Sequence, residues 1–340
     1  MAALYAKDQP PGFSNRIERV AIIGAGGQVG KHLTEHLLKT GKHVVTAITR
    51  PSSTSVLPDG VRVLQVNYAA DDNTELVHAL KGQQVLLITM SVHAPRDTIV
   101  KLLRHAAEAG VPYVFPNWYG HDVGSDTLLR DSMLLEAKER IEAEVHRLGN
   151  VSGVKLVCNF WYEFSLGGGP DRYGFDFEKR SFTIFGDGNV RINTSTWTQC
   201  GRAIASLLSL KELPDDETDT APTLSQFRDS PVYISSFCLT QRDMFESVKR
   251  VTGTTDADWT ITEEPVEQRW KDGHAAVQDG NWNAFVKMLY SRMFFPTGDG
   301  DYESRVDLHN DILGLPVEDL DEATAVGIGM AERRAVPFSH

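Results

Sequence analysis

Hydrophobic and polar positions follow two rhythms along the first half of the chain. Short, nearly continuous apolar runs occur at residues 19–23, 43–49, 61–66, 85–89, 111–115 and 155–159. Runs of this length without polar alternation predict strands buried on both faces. Between them, apolar residues recur three and four positions apart. After the first run these are Val29, Leu33, Leu37 and Leu38. Residues 73–80 form a short helical pattern, and residues 98–109 carry Ile99, Leu102, Leu103, Ala106 and Ala109 on one face. Residues 128–148 predict one long helix with a stripe through Leu134, Ile141, Val145 and Leu148. Gly41, Gly82 and Gly110 stand where helices are expected to end. Strands alternating with helices argue for a parallel sheet with right-handed crossovers.

Beyond Phe164 the alternation weakens. Gly167, Gly168, Gly169 and Pro170 break the chain. Strands are expected at 181–185 and 189–192 around an Asp187-Gly188 turn, and again at 232–235 and 259–262. Helices are expected at 203–210, at 240–251 with Thr240 as N-cap, and at 283–294, 302–313 and 317–332. The expected architecture is α/β: a Rossmann-like doubly wound sheet over residues 17–165, followed by a smaller α+β substrate lobe over 166–340 with crossings back to the core. Residues 1–16 contain Pro10-Pro11-Gly12 and no signal-peptide core, and are expected as a flexible tail.

The first strand runs directly into Gly24-Ala25-Gly26-Gly27-Gln28-Val29-Gly30 and a helix. Strand, glycine-rich turn and helix open a dinucleotide-binding βαβ unit. Gly24 permits the turn. Gly26 and Gly27 let backbone N–H groups approach a pyrophosphate, and Gly30 lets the helix lie close to the strand. Gln28 and Val29 belong to the positive end of the helix dipole. After the second strand comes Thr49-Arg50-Pro51-Ser52-Ser53-Thr54, with no carboxylate until Asp59. An acidic residue there would bind the adenine ribose and repel a 2′-phosphate, whereas Arg50 with Ser53 would accept that phosphate. The expected cofactor is therefore NADP(H). A plain surface arginine is the alternative.

The carboxyl ends of the other strands complete the expected cofactor contacts: Met90, Ser91, Pro116, Asn117 and Asn159. Trp118, Tyr119, Phe160, Trp161 and Tyr162 follow those ends, either as a substrate wall or as ordinary aromatic core. Lys138 lies on the apolar stripe of the long helix, so it either snorkels or meets something polar, such as a nicotinamide ribose.

The chain has 340 residues, 41% hydrophobic and 24% charged, which is ordinary for a globular protein. A net charge of −12 without a basic run argues against nucleic acid as a partner. No apolar run has the length of a membrane span. Cys158, Cys200 and Cys238 form neither a disulfide framework nor a metal pattern, so no metal is expected and a reducing, cytoplasmic setting is. A small-molecule substrate is the expected partner, with the chain a monomer or homodimer.

The glycine turn, the Arg50 loop, the segment Tyr113-Val114-Phe115-Pro116-Asn117-Trp118-Tyr119-Gly120 and the helix Leu135-Glu136-Ala137-Lys138-Glu139-Arg140-Ile141-Glu142 together resemble the NmrA-like and isoflavone reductase-like proteins, atypical short-chain dehydrogenases/reductases. The resemblance covers about the first 165 residues. It is looser beyond, where Leu313-Gly314-Leu315-Pro316 and the acidic final helix are similar to fungal-type members. The family's Gly-x-x-Gly-x-x-Gly turn corresponds to Gly24, Gly27 and Gly30. The resemblance implies NADPH, and it implies that Lys138 contacts the nicotinamide ribose and assists proton transfer. It also implies hydride transfer to an aromatic or conjugated carbonyl compound of enone or quinone-methide type.

Two departures stand out. Trp118 replaces the glutamate of the family's Pro-Ser-Glu-Phe-Gly, which makes the pocket more aromatic. Leu134 occupies the position of the tyrosine in the Tyr-x-x-x-Lys pair of ordinary short-chain dehydrogenases, so a tyrosine acid at that position is ruled out. Tyr119, His121, Tyr162 or a water are then the other acid–base candidates beside Lys138. Some relatives bind NADP(H) without turnover as redox-sensing regulators, and the fold also serves redox-neutral isomerases, dehydratases and cyclases. Both readings stay open at this point.

Overall fold

The structure, a computed structural model, describes residues 5–68, 73–91 and 94–336. Of the expected tail and lobe, residues 1–4 and 337–340 lie outside the described residues. The first half delivers the expected strands β1 (Arg19–Ile23), β2 (Val44–Thr49), β3 (Arg62–Gln65), β4 (Val85–Ile88) and β5 (Tyr113–Pro116). Helices α1 (Gln28–Lys39), α2 (Thr74–Leu80) and α3 (Thr98–Ala109) connect them. Then follow β6 (Tyr119–Gly120), α4 (Asp126–Asp131), α5 (Leu135–Leu148), β7 (Ser152–Gly153) and β8 (Lys155–Val157). Among the described residues, six strands form one sheet in the order β3-β2-β1-β4-β5-β7, with every neighbouring pair parallel.

Alternate residues of β1 face opposite ways. Val20 and Ile22 join Leu33 and Leu37 of α1 in one core. Ala21 and Ile23 join Leu76 of α2, Leu102 of α3 and Ile141 of α5 in the other. The continuous apolar runs are explained by this double coverage. The strand order reverses at β1, so the switch point lies at the carboxyl ends of β1 and β4.

Two expectations change here. The run expected as a sixth sheet strand at 155–159 is not that strand. The sheet takes Ser152–Gly153, and β8 instead pairs with β6 and with a later strand. The displacement begins at Asn117, whose φ of 56° bulges the chain between β5 and β6. The single long helix expected at 128–148 is two helices. The chain breaks at Ser132-Met133-Leu134, where Met133 takes a left-handed φ of 59°.

The second half contains β9 (Phe160–Trp161), α6 (Tyr162–Leu166), β10 (Phe175–Asp176), β11 (Ser181–Phe185), β12 (Ile192–Ser195) and α7 (Trp197–Leu208). It continues with β13 (Pro231–Tyr233), β14 (Phe237–Leu239), α8 (Gln241–Thr252), β15 (Thr260–Glu264), α9 (Val266–Gln278), α10 (Phe285–Met293) and α11 (Leu320–Glu332). The expected 181–192 hairpin does not form. β11 pairs with β10 and β15, while β12 pairs with β9 and β14. Helix α9 escapes the sequence reading, and the helix expected at 302–313 is a run of turns. Polar side chains compete for the backbone there: Asp301 accepts from the Ser304 N–H, and Asn310 bonds to Ser235. Its apolar residues are still used, since Tyr302 and Leu313 are buried.

The lobe has an aromatic core that includes Phe175, Phe182, Phe245 and Tyr290. Helix α7 leaves the lobe and lies along α1, closing the first core. A Cβ on Gly201 would stand 2.6 Å from the His32 carbonyl oxygen, which measures how close the two helices run. Residues 6–16, expected as tail, are hydrogen-bonded to the 211–215 segment through Ala6, Lys7 and Asn15.

Candidate active site at the strand ends

The glycine turn is tightly constrained. Gly24 has φ +89°, and a Cβ there would lie 2.1 Å from the Thr89 carbonyl oxygen. A Cβ on Gly30 would lie 2.1 Å from the Gly24 carbonyl oxygen. Thr89 is a residue that the sequence reading used only as a strand end. Its hydroxyl lies 3.0 Å from both the Ile23 and the Gly24 carbonyls, and so pins the turn to the end of β4. Gly27 is the N-cap of α1 and offers no side chain, so the first N–H groups of the helix, from Gln28 onward, stay available. Val29 turns into the core.

The loop after β2 closes over this turn. A Cβ on Gly26 would come within 2.9 Å of both Ser55 Cβ and the Val56 carbonyl oxygen. Ser53 N–H bonds to the Arg50 carbonyl at 2.9 Å, and Arg50 is exposed. Gly24, Gly26, Gly27, Gln28 and Gly30 thus lie together in the β1–α1 turn, and the loop that carries Arg50 and Ser53 packs on it through Ser55 and Val56.

At the ends of β4 and β5 the side chain of Asn117 clasps the backbone of Met90. Its Oδ1 accepts from Met90 N–H at 2.9 Å, and its Nδ2 donates to Met90 O at 3.3 Å. Met90, Ser91, Pro116 and Asn117 therefore form one patch beside the switch point. Asn159 does not join it through its side chain. Its Nδ2 turns to Met293 Sδ and the Gly300 carbonyl, and it is almost wholly buried.

Lys138 sits in the first turns of α5. Its ammonium donates to Asp126 Oδ1 at 2.8 Å, with 17% of its side chain exposed. This ion pair depends on the break between α4 and α5 and was not foreseen. It holds the Asp126 carboxyl below the usual carboxylate range. Helix α4 is in turn tied to the lobe. Arg292, on α10 and 1% exposed, bonds to Asp131 and Asp299, and Ser125 bonds to Asp299.

The other acid–base candidates are enclosed. The Tyr119 hydroxyl is buried without a partner, and burial raises its pKa well above the ordinary value. His121 packs edge-on against Phe160 with Nε2 enclosed, and burial pushes its pKa down to about 4. The Tyr162 hydroxyl bonds to Thr324 inside the lobe.

The five expected wall aromatics are divided among the three cores. Trp118 lies in the α3 core, and Tyr119 and Trp161 pack against the α1 core. Phe160 and Tyr162 lie in the lobe, where Phe160 stacks on Tyr290 at 3.7 Å between centroids. A further ionisable group emerges next to them. Glu163 Oε1 accepts from Trp197 N–H at 2.8 Å at the start of α7, while Oε2 is enclosed without a partner. Burial pushes its pKa up to about 7.

A parallel sheet with its switch point at a glycine cradle defines a dinucleotide-fold protein of the Rossmann-like class. More narrowly, residues 17–164 match the model of the NmrA-like family. Oxidoreductase aprR of Aspergillus flavus is 25% identical over 311 residues, spanning 90% of this chain and 97% of that protein. A crystal structure of isoflavone reductase superposes with a TM-score of 0.68 at 20% identity, covering 91% of this chain and 98% of its own. A structure described as AtPrR2 with NADP+ and (+)pinoresinol gives a TM-score of 0.63 at 18% identity, covering 93% of this chain and all of the other. No helix among the described residues is long and apolar enough to cross a membrane.

Proposed function

We propose that this protein is an NADPH-dependent reductase of a small aromatic or conjugated carbonyl compound, of enone or quinone-methide type. The observation that carries the reading is the cradle at Gly24, Gly26 and Gly30, where side chains are sterically excluded and the Arg50 loop folds over the turn. These residues fit a dinucleotide phosphate. The uncapped start of α1 suits a pyrophosphate, and Arg50 with Ser53 suits a 2′-phosphate. Met90, Ser91, Pro116 and Asn117 would flank the nicotinamide end. NADPH bound there supplies the hydride.

The chain's own work is positioning and proton handling. Asn117 fixes the Met90 backbone. Lys138 holds a proton at Nζ for the oxygen of the acceptor. Of the acid–base candidates Lys138, Tyr119 and His121, it is the one whose polar atom is not enclosed. In the same reading residues 17–165 hold the dinucleotide, with α7 completing their core, and the lobe covers the acceptor. The names of relatives support this assignment, since they include oxidoreductases and reductases.

The test is a titration with NADPH and NADH, followed by incubation with a panel of enones, quinones and aryl ketones while reduced-nicotinamide absorbance is followed. NADPH is expected to bind preferentially and to be oxidised only with an acceptor. Arg50→Ala is expected to weaken NADPH by roughly ten- to a hundredfold and leave NADH unchanged. Binding without oxidation across the panel would instead favour a sensor, and acceptor conversion without oxidation a redox-neutral enzyme.

A further inference from the structure

A cavity of about 600 Å³ opens beside the strand ends, between the beginnings of α3 and α5. Its size is that of a small-molecule site. Ile99, Met133, Leu135 and Ile141 give it apolar walls. Asn117 reaches it from the β5 end, so one side of the cavity adjoins the Met90–Asn117 clasp. Three guanidinium groups line it, those of Arg96, Arg130 and Arg140. None of the three is ion-paired with a carboxylate among the described residues. Arg140 is half-buried, and its Nη1 donates to the Arg96 carbonyl at 3.2 Å, which anchors it between α5 and the approach to α3. Its remaining N–H groups have no protein acceptor among the described residues.

We propose that this cavity binds an apolar, aromatic-sized molecule carrying one negative charge, such as an aryl carboxylate or sulfonate. The walls take the apolar body. The anion lies against Arg140, with Arg96 or Arg130 as second donor, in the forked geometry that guanidinium groups offer to carboxylates. The charge on the ligand is limited by the exposed carboxylates of Glu136 and Glu139, which also line the cavity. Asp97 and Asp126 also face Arg140 and Arg130, but each is paired with a lysine, Lys101 and Lys138, so the remaining balance of three guanidiniums against the Glu136 and Glu139 carboxylates suits a monoanion and disfavours a polyphosphate. The cavity is separate from the glycine cradle but shares Ser91 and Asn117 with the patch proposed to flank the nicotinamide, so it lies beside that end of the cofactor site; the anion preference itself does not require turnover.

The test uses the full chain with NADP+ present and reads binding, not turnover. Calorimetric titrations compare 2-naphthoate with its uncharged isostere 2-acetylnaphthalene and with naphthalene-2,6-dicarboxylate. The monoanion is expected to bind about tenfold more tightly than either comparison compound. Arg140→Gln is expected to erase its advantage over the ketone, and Ala137→Trp, which fills the cavity from α5, to remove binding of both. Arg130→Gln is a second, exposed variant that leaves the packing untouched, and it is expected to weaken the monoanion by a few-fold. Equal binding of naphthoate and ketone, or naphthoate binding unchanged in both arginine variants, overturns the proposal. Naphthoate binding that survives in a folded Ala137→Trp protein also overturns it, by placing the ligand elsewhere. A protein that fails to turn over any acceptor yet shows this binding pattern refutes the reductase reading alone.

Discussion

The glycine turn and the Lys138 region are built differently. The turn is local. Its glycines, the strand before it and the helix after it are contiguous, and Thr89, the Ser55 side chain and the Val56 carbonyl press directly on it. The Lys138 region is assembled from distant segments. Asp126 comes from a separate short helix, and that helix is held by Arg292 from α10. Local steric constraint makes the first region rigid and intolerant. Tertiary ion pairs make the second adjustable, with its geometry set by how the lobe seats on α4.

Gly24→Ala tests the rigid side most severely. The new Cβ would meet the Thr89 carbonyl at 2.1 Å in a backbone conformation of φ +89°. Strain and overlap together are expected to cost about 3 kcal/mol or more, read from urea unfolding midpoints. A loss under about 1 kcal/mol would show that the turn adjusts freely. The corresponding break in the adjustable side is Arg292→Met. The arginine is 1% exposed, whereas Asp131 and Asp299 keep 31% and 20% side-chain exposure and can be partly rehydrated. The expected loss is therefore about 2–3 kcal/mol, at or below the lower end for breaking a buried pair. If the assembly works as described, this variant also loosens Lys138, while NADPH affinity at the glycine turn is retained.

Two buried ionisable groups outside both regions make smaller, pH-dependent contributions to stability. Glu163 has a folded pKa of about 7, raised from 4.5 by burial. Its neutral form is favoured by folding, so its contribution is complete below pH 4.5 and is lost as pH rises through 7. The full span is about 3 kcal/mol. His121 works in the opposite sense. Its folded pKa of about 4 lies below 6.5, so its contribution is complete above pH 6.5 and is lost as pH falls through 4. The two trends oppose each other between about pH 4.5 and 6.5. Glu163→Gln keeps the acceptor for Trp197 N–H and removes the titration. Its stability is expected to decline less than that of the parent between pH 5 and 8, as read by thermal melts. Parallel profiles for the two proteins would show that Glu163 is already ionised in the native state.

This contrast also explains what could be foreseen. The sheet, α1 and the ending of α3 at Gly110 were legible because periodicity, glycine placement and strand burial are properties of neighbouring residues. The break at Met133 was not, because nothing in the 128–148 pattern marks a left-handed residue. Without that break, Asp126 could not be paired with Lys138. The aromatic residues 118–119 and 160–162 were legible as a group but not by direction. Strand alternation, the bulge at Asn117 and the start of α6 send them to three cores. The turns at 302–313 were hidden for another reason. Their apolar spacing is genuine and is satisfied by tertiary burial, while the backbone is taken by Asp301 and Asn310.

The smallest expected effect on stability is the sharpest probe of the adjustable side. Asp126 is largely exposed, so Asp126→Asn should leave the unfolding midpoint almost unchanged. Lys138→Ala should remove most turnover of NADPH with whichever panel acceptor is reduced, while leaving NADPH binding within a few-fold. Asp126→Asn should fall between parent and Lys138→Ala. The amide still accepts from Nζ but no longer holds the ammonium by charge, so the lysine is less firmly placed, and kcat is expected to fall with KM for NADPH unchanged. A rise in KM for NADPH as large as the fall in kcat would assign Asp126 a role in seating α4 alone. An unchanged kcat in Asp126→Asn together with an active Lys138→Ala enzyme would remove both residues from the chemistry and leave the glycine cradle as the functional one of the two regions.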